Sequence, residues 1–166
     1  MHHYPFRRSG ALLTSGGLGT MGYGLGAAIG ASIAQGGKRV VLFTGDGSFG
    51  MSLQELATAV TYRLPLLIVI CNNGVLGMVR QWQTMFFRKH YSCSTLNRQT
   101  DFPALARAFG AEGQKITTLE ELKAALSHLP ADHPLVLDCR LDQDEFALPM
   151  IPPGGSVEDM ITQKEF

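Results

Sequence analysis

The chain of 166 residues is long enough for one domain with a core of its own, and its 45% apolar content is ordinary for a globular protein. Lysine plus arginine and aspartate plus glutamate both number 14, so net charge gives no case for nucleic acid or a membrane surface as partner. The longest apolar run, residues 66–71, is too short to cross a bilayer, and residues 1–8 carry no apolar signal core. Cys71, Cys93 and Cys139 form no Cys-x-x-Cys pair, which speaks against a disulfide framework or zinc site and for a reducing, cytoplasmic setting.

In chain order, residues 21–35 (MGYGLGAAIGASIAQ) predict a closely packed helix of small residues. Residues 39–44 (RVVLFT) read as a buried strand, apolar without alternation. It ends at Gly45-Asp46-Gly47. Residues 52–62 predict a helix with a Ser52–Glu55 capping box and an inner face of Leu53, Leu56, Ala57 and Val60. Pro65 breaks it, and residues 66–71 (LLIVIC) form a second buried strand that ends at Asn72-Asn73. A strand–helix–strand unit of this kind makes the two strands parallel, with a right-handed crossover.

Residues 77–87 predict a further helix carrying a Met78, Trp82, Met85 stripe, which by default is core. Residues 88–100 have no period and are expected to form a mobile loop. Asp101 caps a helix with Phe102, Leu105, Ala106 and Phe109 on one face, stopped by Gly110. Thr118 and Glu121 box the start of another, with Leu119, Leu122, Leu126 and Leu129 inward, and residues 135–139 (LVLDC) are a late strand. The five histidines show no ligand pairing and read as surface residues. Residues 1–166 thus predict a single domain, a three-layer α/β/α sandwich on a mostly parallel sheet.

In such folds ligands sit beyond the carboxyl ends of the strands, where both turns fall. Each turn alone is an ordinary turn sequence. Together they offer an acidic oxygen from Asp46, an amide oxygen from Asn73 and a backbone carbonyl after it, a donor set that suits magnesium with a diphosphate and water completing the shell. Gly47 and Ser48 bring N–H groups close without bulk, as a diphosphate requires. The 24 residues 48–71 separate Gly-Asp-Gly from Asn72.

That spacing resembles the thiamine-diphosphate motif of 2-oxo acid decarboxylases, synthases and transketolases. The stretches TSGGLGTMGYGLGAAIGA, TGDGSFGMSLQELATA, NNGVLGMVRQWQ and PMIPPGG resemble the C-terminal, pyrophosphate-binding domain of acetolactate synthase (acetohydroxyacid synthase) large subunits. One departure is Gly26, where that family typically has proline. The resemblance implies that Asp46, the Asn73 side chain and the Val75 carbonyl bind Mg2+. It has Gly45, Gly47, Ser48, Gly77 and Met78 line the diphosphate of the thiamine diphosphate. It further implies that the Gly19 carbonyl accepts from the aminopyrimidine, that Met21 is the wedge under the bent cofactor, and that Met78 and Trp82 form the substrate pocket.

The same resemblance implies decarboxylation of pyruvate and joining of the two-carbon unit to a second 2-oxo acid, for branched-chain amino acid synthesis. No catalytic residue is assigned within the chain. Glu55, Glu112, Glu120, Glu121, Glu145, Glu158 and Glu165 do not match the activating glutamate, which the family carries on a separate pyrimidine-binding domain. The chain therefore reads as part of a larger or split enzyme, inactive alone, forming homo-oligomers, with FAD held mostly elsewhere and a regulatory subunit as a further partner. The alternatives are a 2-oxo acid decarboxylase subunit and a non-catalytic nucleotide- or anion-binding module. Against the latter, no Gly-x-Gly-x-x-Gly follows a strand.

Overall fold

The structure, a computed structural model, describes residues 4–163, so His2, His3 and Glu165 lie outside the described residues. Its elements are α1 (Tyr23–Ala34), β1 (Val40–Gly45), α2 (Asp46–Phe49), a 3₁₀ turn (Leu53–Glu55), α3 (Leu56–Thr61) and β2 (Leu66–Asn72). There follow α4 (Gly77–Phe86), α5 (Phe102–Phe109), β3 (Glu112–Ile116), α6 (Leu119–Ser127), β4 (Leu135–Arg140) and a 3₁₀ turn (Val157–Asp159). The sheet runs β1-β2-β4-β3 with every described pairing parallel.

β2, an unbroken apolar run through residue 71, and β4, apolar but for Asp138 until it ends at Arg140, sit at the centre, where both faces are covered. One face packs Leu42, Leu66, Ile68, Ile70 and Val136 against α1, α3 and α5. The opposite face packs Leu67, Val69, Leu135 and Leu137 against α6 through Ala125, Leu122 and Leu129. Burial of each such side chain stabilises by roughly 1.5–3 kcal/mol. The second layer does not extend over β1: Val41 and Phe43 point to that side, and Phe43 is 72% exposed.

β3 was not legible in sequence. Its residues, EGQKI, bury only Ile116, so no apolar run announces it; pairing with β4 creates it at the sheet edge. The Asp101 cap is present, with the side chain accepting from the Ala104 N–H at 2.9 Å, and Gly110 ends α5 at φ 91°. The Thr118–Glu121 box is also formed.

Two readings need correction. Ser52 and Glu55 make no capping box: Ser52 has no side-chain cap bond, its buried Oγ lacks a partner, and Glu55 instead accepts from Thr58 Oγ1 at 3.2 Å. The chain enters the helix through a 3₁₀ turn, whose tighter winding shifts the phase. Ala59 is therefore buried and Ala57 exposed, the reverse of a continuous α-helical count. In α6 and just beyond its end the inward line is Leu122, Ala125 and Leu129, leaving Leu119 and Leu126 exposed, because the helix lies with its small residue against the sheet.

Glycines in two elements give opposite expectations. A Cβ on Gly113 would stand 2.5 Å from the Pro103 carbonyl oxygen, whereas one on Gly26 meets nothing within 4 Å. Gly113→Ala should lower stability by roughly 2–3 kcal/mol through overpacking against backbone. Gly26→Ala should raise it by about 0.5–1 kcal/mol. Urea unfolding of both variants checks the pair.

Candidate functional site

The register of β1 on β2 sets Gly45 opposite Cys71. Adjacent strands run about 4.8 Å apart, so Asp46 and the Asn72-Asn73 pair leave the sheet side by side. Where a simple turn is expected at Gly-Asp-Gly, the chain enters a single helical turn, α2, that starts at Asp46 itself.

Asp46 is only 3% exposed. Burial holds its carboxyl above the ordinary carboxylate range, against the N–H groups of Gly47 and of Asp46 itself and the Arg98 charge, which pull it down. Gly47 is confined: a Cβ there would come within 3.2–3.3 Å of Leu76, Leu96 and the Met21 methyl group. Met21 is thus brought against the start of α2, from 25 residues up the chain (46 − 21). The Gly22 N–H donates to Ser48 Oγ at 2.9 Å, which ties the beginning of α1 to α2. Gly19 and Gly22 both hold left-handed backbone, at φ 62° and 82°, so the approach to α1 turns where L side chains are strained.

The two asparagines divide. Asn72 is buried, and its Nδ2 donates to Asp138 Oδ1 at 2.7 Å, linking β2 to β4. Asn73 stands at the turn, its Oδ1 accepting from the Val75 N–H at 3.2 Å. Gly74 takes φ 69°, and a Cβ on Gly77 would be 3.1 Å from Asn73 Nδ2. Two glycines therefore keep this turn small enough for both amide groups. Val75 is buried and bridges Thr95; the Leu76 N–H donates to the Ser94 carbonyl at 2.7 Å and the Leu96 N–H to the Gly74 carbonyl at 2.8 Å. Residues 88–100 contain no helix or strand, and this stretch of them clasps the Asn73 turn.

The stripe on α4 is not core. Met78 is 55% and Trp82 38% exposed, and with Val79, Phe86 and Phe87 they line a cleft of about 760 Å³. The buried face of α4 is polar instead. Arg80 grips Asp144 with Nε at 2.7 Å and Nη2 at 3.2 Å, and its guanidinium lies 4.1 Å over the Tyr91 ring. Gln81 accepts from the Ala147 N–H at 2.8 Å and donates to the Ala147 carbonyl at 3.3 Å. The C-terminal tail thus holds α4 from behind and leaves its apolar side facing the cleft.

Sequence reasoning missed Asn72–Asp138, Arg80–Asp144 and Arg98, whose Nη1 donates to the Asp46 carbonyl at 3.1 Å. The Asp in LVLDC was the available signal, since a carboxylate inside a buried strand requires a partner. Among the described residues no three His, Cys, Asp or Glu side chains gather as a metal cluster. The oxygens at the two strand ends come from one carboxylate, one amide and backbone.

Ser48→Ala should cost about 1 kcal/mol, because it leaves the Gly22 N–H without its acceptor. Denaturant titration of the variant against the parent measures it.

Comparison with known proteins adds lineage. Residues 1–139 match the family described as thiamine pyrophosphate enzyme, C-terminal TPP binding domain. The chain is 47% identical over 160 residues to the acetolactate synthase isozyme 2 large subunit of Escherichia coli K12, covering 96% of this chain and 29% of that protein. It is 41% identical over 159 residues to the acetolactate synthase large subunit of Lactococcus lactis, at 96% and 28% coverage. A solved relative is the thiamine diphosphate-dependent 4-hydroxybenzoylformate decarboxylase of Rhodococcus jostii RHA1. It has a TM-score of 0.64 and 30% identity over 74% of this chain and 23% of that one. The chain spans less than a third of the length of these curated relatives.

Proposed function

The chain belongs to the thiamine pyrophosphate enzymes, as their C-terminal TPP-binding domain, and on that premise we propose that it holds Mg2+ and the cofactor diphosphate for an acetolactate synthase. The observation that carries this reading is the buried Asp46 carboxylate beside the Asn73 turn, packed so closely that only glycine fits at Gly47, against Leu76, Leu96 and Met21, and at Gly77, against the Asn73 amide. The residues fit the group. Asp46, the Asn73 amide oxygen and the Val75 carbonyl supply three hard oxygens, and a diphosphate with water completes an octahedral shell of the kind magnesium takes. A bound cation also offsets the charge that burial disfavours at Asp46.

Gly45, Gly47, Ser48, Gly77 and Met78 would border the diphosphate with N–H groups and little bulk. Gly19 offers its carbonyl to the aminopyrimidine, and Met21, which already lies against Gly47, props the cofactor from below. Thiamine diphosphate, once bound, supplies the carbanion chemistry; the protein supplies posture and exclusion of water. Met78 and Trp82, on the rim of the cleft, would shape the pocket for a second 2-oxo acid.

We assign the activating glutamate to a pyrimidine-binding domain outside this chain. Among the candidates within it, Glu112 contacts His133, Glu121 is the α6 cap and Glu55 contacts Thr58. The relatives are more than three times longer, and the bare Val41 and Phe43 on β1 join the exposed apolar residues within 16–30 (Leu18, Met21, Tyr23) and 78–87 (Met78, Val79, Trp82, Phe87) as surfaces for that domain or a second copy; Leu25, Ala28 and Ile29 belong to the core instead. The whole assembly would decarboxylate pyruvate and join the two-carbon unit to another 2-oxo acid in branched-chain amino acid synthesis. FAD and a regulatory subunit would be held mostly by other parts, in the cytoplasm. No helix among the described residues is long and apolar enough to cross a membrane.

A second reading, a thiamine-dependent 2-oxo acid decarboxylase, is favoured by the 30% identical decarboxylase structure. Identity of 41–47% to the synthases outweighs it. An enzyme reconstituted with the remaining domains should form acetolactate from pyruvate; acetaldehyde and carbon dioxide alone would establish the second reading instead.

Cofactor binding tests the site itself. Calorimetry should show thiamine diphosphate binding that requires Mg2+, and Asp46→Asn should weaken it by roughly a hundredfold, given about 1.5–3 kcal/mol for a lost charged partner. The variant should melt no lower than the parent, because burial already disfavours the charged carboxylate. Since that carboxyl is held above its ordinary range, Mg2+-dependent binding should fall on acidification sooner than for an exposed aspartate. Binding by Asp46→Asn at parental strength would remove Asp46 from the metal site.

A further inference from the structure

Farther along the sheet's carboxyl edge, away from β1, a second cavity of about 410 Å³ is lined by Arg98, Asp101, Arg107, Lys115, Asp138 and Arg140. These residues come from the segment before α5, from α5 itself, from β3 and from β4, so the tertiary fold alone gathers them. Pairing of β3 with β4 sets Lys115 opposite Asp138. Four cations meet two carboxylates there, and both carboxylates are already engaged. Asp101 caps α5 through the Ala104 N–H. Asp138, buried, accepts from Asn72 Nδ2 at 2.7 Å and stands 3.6 Å from Arg140 Nε.

The cations keep donors to spare. Arg98 and Arg107 each direct one Nη1 donor at a backbone carbonyl, of Asp46 at 3.1 Å and of Gly113 at 2.9 Å. A guanidinium carries five N–H groups, so most remain for the cavity. An excess of two positive charges, in a hollow within the size range of small-ligand sites, suits a doubly charged anion. Guanidinium forks match the oxygens of a phosphate two at a time, and a lysine adds a point charge.

We propose that this cavity is an anion site for a small phosphate-bearing dianion, separate from the strand-end site at Asp46 and Asn73. Arg98 touches both, since the side chain that lines the cavity also donates to the Asp46 carbonyl. The proposal does not depend on the cofactor reading, because none of the four cations is assigned to thiamine diphosphate or its metal.

The probe is inorganic phosphate, titrated into the 15N-labelled chain without divalent metal, with chloride at equal ionic strength as control. Saturable amide shifts are expected at residues 98–101, 115–116 and 138–140, and chloride should not reproduce them. The Lys115→Gln/Arg140→Gln double variant should bind phosphate roughly tenfold or more weakly, while still unfolding cooperatively, though at a lower temperature because Asp138 loses the Arg140 charge 3.6 Å away. If the pair does not fold, Lys115→Gln alone, exposed on the edge strand, should still weaken binding several-fold. Equal shifts with chloride, or undiminished phosphate binding by the folded variants, would overturn the site. Shifts confined to residues 45–48 and 73–78 would overturn it too, while leaving the cofactor reading intact.

Discussion

The parallel register of β1 on β2 is the constraint on which the site depends. Gly45 opposite Cys71 is one of six consecutive pairs, and a slip of one residue would turn every side chain of β1 to the other face. Leu42 would leave the packed side, and Asp46 would lose its place beside the asparagines. The strands' central apolar residues hold that register, so the core fixes the chemistry at its rim. Ile68 and Ile70 are fully buried, and they carry no polar atom of their own.

Polar contacts then refine what the register places. Asn72 and Asp138 hydrogen-bond between β2 and β4 one layer below the turn, where neither is exposed to solvent. A buried carboxylate without a partner would be strongly unfavourable, so the pair is an obligate one. It leaves Asn73 free of structural duty across the sheet. Neighbouring asparagines in one dipeptide thus do different work: the first joins strands and the second faces the space above them. The Ser94 and Gly74 carbonyls, accepting from Leu76 and Leu96, add a backbone clasp that side-chain patterns do not encode.

The helix α4 shows the same logic inverted. Its exposed side is apolar and its buried side carries Arg80 and Gln81, because the surface behind it is the tail at Asp144 and Ala147 rather than the sheet. An apolar stripe at helical spacing marks a face that wants cover, but it does not say whether the cover is core, ligand or another chain. The bare Phe43 on β1 poses that question a second time. Both belong to elements joined directly to the strand-end site, since β1 ends at Gly45 and α4 begins at Gly77.

The sequence by itself determined β2 and β4 as buried strands, the caps at Asp101 and Thr118, the two turns and their spacing, because each rests on local chemistry; β1, read as buried in the same way, has Val41 and Phe43 exposed because no described helix covers that side of it. An unbroken β-branched run has few other places to go, and a capping oxygen acts within three residues. Tertiary structure decided the rest. β3 exists only through its partner β4, since EGQKI has no apolar pattern to declare it. The Ser52 box failed because the chain's entry into α3 was set by packing and tightened into a 3₁₀ turn. The partners of Asp138, Arg80 and Arg98 lie between 52 and 66 residues away in sequence. Local periodicity carries no information over that distance; only the order of strands in the sheet does.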